Sequence, residues 1–275
     1  MKLQYNHEDE ITRFISSCDA LYHFTRKDTA IEHILDNQTL RFGDFKLTND
    51  PQEYKSKMTS AIGWGWEDSH LDKIAETTFS IEKLVKSSGF ISLCQNRYED
   101  DQLVEEGCLK SRMWSQYAEN HTGICLVFSK QALMQEIENQ LASEHQILSD
   151  YVTYKDPSVK LTSTALSVDG YQLSTCSPEQ MASDYIIDSK DHVFFQKQPD
   201  YKDENEFRIV AVAKHYKPVC GKFINFAQSL KAIILGDAFP KVYLPTIKAL
   251  CEKNNVPYRK LHWEKSRYVL LQWNK

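Results

Sequence analysis

Residues 202–212, KDENEFRIVAV, set two carboxylates and a guanidinium at alternate positions, Glu204, Glu206 and Arg208, ahead of an apolar run. Side chains of a strand alternate faces with a period of two, so the spacing predicts all three on one face, continued by Val210 and Val212. Phe207, Ile209 and Ala211 line the other face. Both faces read as buried, and unpaired charge in a buried setting is costly, which argues for a site over a solvated ion-pair ladder. The strand rise predicts carboxylates roughly 7 Å apart. That spacing suits chemistry at an anomeric carbon, with one acid steadying an oxocarbenium-like centre or bonding sugar hydroxyls and the other orienting a nucleophile.

Other segments offer partners for the acid pair. His23, in LYHFT, is a polar tip on a short apolar strand and could hold a ribose, since imidazole donates or accepts; the competing reading is a satisfied core histidine. In MWSQYAENHTGICLVF, residues 113–128, helical spacing puts Trp114, Tyr117 and Ala118 on one face, where aromatics could stack on a planar ring and Arg112 could contact phosphate. Trp114 alone reads more readily as core; Tyr117 and His121, at the helix end, are the better site candidates. Asp50 and Glu53, in NDPQEY, sit at an expected helix start, where the dipole is a sufficient reason for both. Cys94 shares a strand face with Ser92, with Arg97 beyond the strand end, but no base can be set beside it and a buried, inert thiol is the stronger reading.

The elements that must position these groups follow from periodicity and turn chemistry. Residues 8–18 and 28–37 read as helices; 20–25, 39–42, 89–95 and 123–128 as strands. Residues 109–120 read as a helix, as do 129–142 with Ser129 as N-cap. Asn49-Asp50-Pro51 is a turn from which Gln52 onward can start a helix. The stretch 145–175 is β-rich, and Ser177-Pro178-Glu179-Gln180 matches a capping box opening a long helix toward Gln196. CGKFINF, LKAIILG, YRKLHW and YVLLQW supply later strands, with a helix within 241–254 whose first turn or kink Pro245 marks. The interleaving lacks a steady βαβ rhythm and no Gly-rich turn joins a strand to a helix. The expected fold is therefore α+β, a single domain with a central mixed or mostly antiparallel sheet flanked by helices. Its expected parts are an N-terminal helix over 1–19, a core over 20–240 and a C-terminal helix and strands over 241–275.

Composition narrows the function classes. A net charge of −5, with Lys and Arg spread along the chain, lacks the footprint of a duplex-binding protein. No apolar run approaches a membrane span, and the N-terminus lacks the apolar core of a secretory signal, so a cytoplasmic location is expected. Seven cysteines, an odd number with no C-x-x-C pair, fit a reducing compartment and argue against a local zinc site.

The boxes NDPQEY, MWSQYAENHTG and ENEFRIV, with YHFT and FISLCQ, resemble a widespread bacterial and phage family labelled a domain of unknown function. That family carries Asn-Asp-Pro, Trp-x-x-Tyr-Ala-x-x-His-x-Gly and Glu-x-Glu-aromatic-Arg boxes. The resemblance spans about residues 20–240 and implies no activity. More distantly, His23, Tyr117 and the Glu204-Asn205-Glu206 pair fall in an order similar to that of ADP-ribosyltransferases, which also implies a split sheet. This second resemblance implies NAD as substrate, with no metal. His23 would hold a ribose and Tyr117 would stack on nicotinamide, with Thr25, Trp114 and His121 also among the cofactor-binding residues. Glu206 would bond the nicotinamide ribose and Glu204 would position the acceptor. Arg112 or Arg97 would take the pyrophosphate, with Arg208 also near the cofactor. The acceptor would be a protein or nucleic acid, the role that of a toxin or phage-defence effector, and an inhibitor or antitoxin protein could accompany it. The rival is a non-catalytic nucleotide-sensing or interaction module, and a metal-dependent nuclease using Asp50, Glu53, Glu204 and Glu206 is a third reading.

Overall fold

Eight extended segments pair into one sheet in a computed structural model that describes residues 10–53, 61–156, 165–214 and 218–272. In chain order they are β1 (Ala20–Thr25), β2 (Gly89–Gln95), β3 (Ile124–Ser129), β4 (His145–Tyr151), β5 (Glu206–Ala213), β6 (Leu230–Leu235), β7 (Tyr258–Glu264) and β8 (Arg267–Gln272). Across the sheet the order is β8-β7-β6-β3-β1-β2-β5-β4. Every pairing along it is antiparallel except β6 with β7, which are parallel and joined through helix Leu244–Asn254. The fold is α+β, a large mixed sheet flanked by helices.

One face of the sheet carries a continuous core. Leu21, Ile91, Leu126, Phe128, Phe207 and Ile209 meet Leu133 and Ile137 of helix Lys130–Leu141 and Ile247 and Leu250 of helix Leu244–Asn254. The other face carries two clusters. Ile81, Leu84, Met181 and Tyr185, from helices Leu71–Ser87 and Pro178–Asp188, cover Val210 and Val212 of β5. Ile15, Met113 and Trp114 cover Tyr22, Phe24, Val127 and Ile234. The clusters divide at β2, whose Cys94 belongs to one and whose Phe90 packs on the other.

The sheet divides at the same place. Six residues of β1 pair with β3, from Ala20 with Ser129 to Thr25 with Ile124, and β2 pairs with β5 over an equal length. Between β1 and β2 the register joins only Leu21 with Gln95 and Tyr22 with Cys94. From His23 onward the two strands diverge, leaving a fork at the middle of the sheet.

Several elements are shorter than periodicity suggests. Helix 109–120 contracts to Ser111–Gln116, because the chain turns through Glu119, Asn120 and His121, all at positive φ. The long helix expected toward Gln196 stops at Asp188, followed by a separate short helix Lys190–Phe194. Segment 28–37 holds a π-helical stretch, Thr29–Leu35. Past Glu53 the expected helix runs into 54–60, outside the described residues.

The largest departure concerns the opening acid pair. The strand begins at Glu206, while Glu204 ends a 3-10 turn, Pro199–Glu204, and Asn205 between them is left-handed at φ 45°. Glu204 and Glu206 therefore do not share a strand face, and the separation drawn from strand rise does not apply. Asparagine tolerates this conformation better than most residues, and its side-chain amide donates to the carbonyls of Gln95 and Asn96, both at 3.1 Å. Asn205→Ala should lose those bonds and strain the backbone, costing about 2 kcal/mol. Asn205→Gly should lose the bonds alone and cost less, a ranking that urea denaturation would read directly.

Candidate functional site

Arg208 anchors a buried charge cluster on the divided face of the sheet. Its Nε lies 2.6 Å from Glu206 Oε1 and its Nη2 3.0 Å from Oε2, a fork made possible by the two residues sharing one face of β5. Nη1 donates to the Phe194 carbonyl at 2.7 Å, and Nη2 lies 2.5 Å from Glu53 Oε1. The guanidinium also rests over the rings of Phe90 and Phe45, 5.0 and 5.7 Å away.

A second cation, Lys197, stands beside it. Its Nζ lies 2.7 Å from Glu204 Oε2, 2.7 Å from Glu206 Oε2 and 4.0 Å from Glu53 Oε2. Glu204 Oε1 accepts the Tyr117 hydroxyl at 2.5 Å, and the Glu206 backbone N–H donates to the Tyr154 hydroxyl at 2.9 Å. Glu53, Glu204, Glu206, Lys197 and Arg208 are all less than a tenth exposed. Asp50 is buried too, its carboxylate taking the backbone N–H of Gln198 at 2.8 Å. The Asn-Asp-Pro turn thus ties the 51–53 segment to the chain beside Lys197, a task beyond helix capping.

Electrostatics follow from this arrangement. Burial pushes the Glu206 carboxyl up, but Arg208 and Lys197 override it and hold it near 2. Burial dominates at Glu53 and raises it in spite of the same two cations. Burial opposes charge on Lys197 as well, yet the carboxylates of Glu206 and Glu53 drive its pKa up, so the ammonium persists. Tyr117 is raised by burial and by the Glu204 charge, which keeps its phenol a donor.

A cleft of about 210 Å³ opens over this cluster at the β1–β2 fork. Glu53, Lys197, Glu204 and Glu206 line it together with Tyr117, His23, Ser92, Thr48 and Asn49, while Phe24, Leu47, Phe90 and Met113 supply apolar wall. His23 Nδ1 lies 3.4 Å from the Ser92 carbonyl, bridging the gap where the ladder has ended. Burial lowers its pKa, so the ring is neutral near pH 7. With Nδ1 donating to Ser92, Nε2 is left as an acceptor.

Of the residues singled out in the sequence, His23, Tyr117, Glu53, Glu204 and Glu206 come together here, and Ser92 and Cys94 line the same cleft. Arg208 lies within the cluster and does not line the cleft. Five others stand apart from it. Trp114 is fully buried, donating its indole N–H to the Cys108 carbonyl at 2.7 Å and packing edge-on against Phe24. His121 packs between Trp114 and Tyr268. Thr25 is buried at the end of β1. Arg112 is tied to the Asp200 carbonyl and to Asp203, and Arg97 to Glu99 and Glu105. Lys197 carries no such signal in the sequence: it follows the apolar VFFQ run and precedes Pro199, a position that reads as the end of a helix. Lys197 and Arg208 are ion-paired among Glu53, Glu204 and Glu206, three of the four acids of the nuclease reading.

Residues 113–209 match the model of a family described as a protein of unknown function, DUF2971. The DUF2971 match takes in Tyr117, Lys197, Glu204, Glu206 and Arg208, leaving His23, Asp50 and Glu53 outside it. It is narrower than the 20–240 span of the sequence resemblance, and it carries no activity. No curated protein and no solved structure matches the chain.

Two measurements test the site's electrostatics. Glu206, held near 2 when folded against an ordinary value of 4.5, should contribute about 3 kcal/mol of stability above pH 5, lost as pH falls toward 2. Glu53, raised, acts in the opposite sense, so the net acid loss should be smaller than Glu206 alone implies. Glu206→Gln should flatten the acid limb of a stability–pH curve and lower stability at pH 7 by about 3–5 kcal/mol, because it weakens a buried ion pair. Cys94, whose thiol burial pushes up to about 12, should resist alkylation at pH 8 until the protein unfolds.

Proposed function

We propose that the cleft at the β1–β2 fork is the site of an NAD-using, ADP-ribosyltransferase-like enzyme. What carries this reading is that His23, Tyr117, Glu204 and Glu206, drawn from three distant segments, line one cleft where the sheet divides. At about 210 Å³ the space falls below the roughly 300–1,000 Å³ of pockets that hold whole drug-sized ligands. It would take the nicotinamide-ribose end of the dinucleotide, with the remainder outside.

In this scheme the C1′–N bond breaks with its electron pair passing to the nicotinamide ring, which leaves neutral. Positive charge develops at C1′. Glu206, kept anionic by Arg208 and Lys197, stabilises it without competing for a proton. His23 Nε2 accepts from a ribose hydroxyl. The acceptor's lone pair closes on C1′, and its proton passes to Glu204, the acid held by Lys197 and by the Tyr117 phenol.

One observation favours the non-catalytic alternative: both acids are already ion-paired within the protein, as a purely structural network would be. Glu206 variants separate the two poorly, since its burial makes them destabilising under either reading. His23→Ala and Tyr117→Phe are better, because both side chains are only half-buried in the cleft wall. Nicotinamide released from NAD should fall on the order of 100-fold in each variant, with Tm within a few degrees of wild type. Wild-type protein that releases no nicotinamide with water, protein or nucleic-acid acceptors would remove the enzymatic reading.

A further inference from the structure

Three carboxylates cannot remain ionised side by side around a single cation without one of them taking a proton. Glu53, Glu204 and Glu206 stand around two cations instead, and the cations divide the work. Arg208 is ion-paired to Glu206 and Glu53. Lys197 is, among the described residues, the cation within ion-pair distance of Glu204, and it reaches Glu206 equally at 2.7 Å. We propose that Lys197 is the positioning residue of the acid pair, its ammonium bridging the Glu204 and Glu206 carboxyl groups at the cleft floor.

The chain holds this lysine from both sides. Gln196 and Lys197 pair in parallel with Thr153 and Tyr154, and the Lys155 N–H donates to the Lys197 carbonyl at 3.0 Å. Phe194 and Phe195 before it are buried, and Gln198 after it is held by Asp50. Two of its three N–H groups have carboxylate partners at 2.7 Å. Glu53 at 4.0 Å and the Tyr201 ring at 5.5 Å complete its surroundings. The charged and titratable groups facing it are therefore Glu53 from the 51–53 turn, Glu204 and Tyr201 from the 199–204 turn, and Glu206 and Arg208 from β5. Tyr117 and Tyr154 bond the same two glutamates. A lysine that served only to fill space would leave the protonation of this cluster unchanged.

Lys197→Met tests the assignment on two arms. In the first, carboxyl carbons are followed by NMR across pH 3–9 in wild type, Lys197→Met and Lys197→Arg. The variant with methionine should show its carboxyl cluster titrating one to two pH units higher than wild type, and arginine should restore the wild-type curve. A titration unchanged by methionine overturns the proposal. Lys197→Met/Glu204→Gln, which removes one charge of each sign, should recover the stability lost in Lys197→Met, so a variant that fails to fold still leaves the charge coupling measurable. The second arm rests on the N-glycoside reading: nicotinamide release should fall on the order of 100-fold, with its acid limb moved up in pH. Silence of the wild-type enzyme would sink that reading while the titration arm still decides the role of Lys197.

Discussion

Two cations holding three carboxylates out of water is the interaction on which the divided side of this molecule depends. Burying either charge type alone is expensive, and the attraction repays the cost only when geometry is good and the remaining donors and lone pairs are satisfied. Here they largely are: the Arg208 fork closes on Glu206, its last nitrogen finds the Phe194 carbonyl, and Tyr117 takes the free oxygen of Glu204. The cluster joins the 45–53 loop, the 196–204 segment and the head of β5, and so decides where the cleft walls stand. Without it the two apolar clusters on that face would have no polar seam between them.

The seam is possible because the sheet lets go of itself. A strand pair that keeps its full ladder leaves no room for a ligand between its edges. β1 and β2 release after two residue pairs, and His23 stands where the third would follow. The apolar run of β3 against β1, and that of β5 against β2, keep each half-sheet intact on either side. An opening is thereby made in the middle of the sheet without exposing the continuous core on the opposite face.

Much of this was legible in the residue order. Apolar runs such as GFISLCQ and ICLVF fixed the central strands to within a residue, because a fully buried strand needs little context to form. Ser129 caps its helix as its type suggests, its hydroxyl accepting from the Ala132 N–H. His23, Tyr117 and the two glutamates were recognisable by type, since polar tips on apolar segments are unusual. Lys197 was not, because one lysine among 33 basic residues carries no periodic signal. Its place is set by contacts such as Asp50 with Gln198, 148 residues apart. Glu204 and Glu206 depart from the common face that their spacing predicts for a local reason: period-two alternation needs an unbroken strand, and one left-handed asparagine ends it.

The brevity of the β1–β2 ladder also has a mechanical meaning. Two rungs make a compliant joint between two stiffer panels, and the unbroken apolar layer behind them acts as the hinge leather. Thermal breathing of the sheet should concentrate at that joint, so the width of the fork, more than any other inter-strand distance, becomes the quantity that heat, pressure or a wedged guest would alter first.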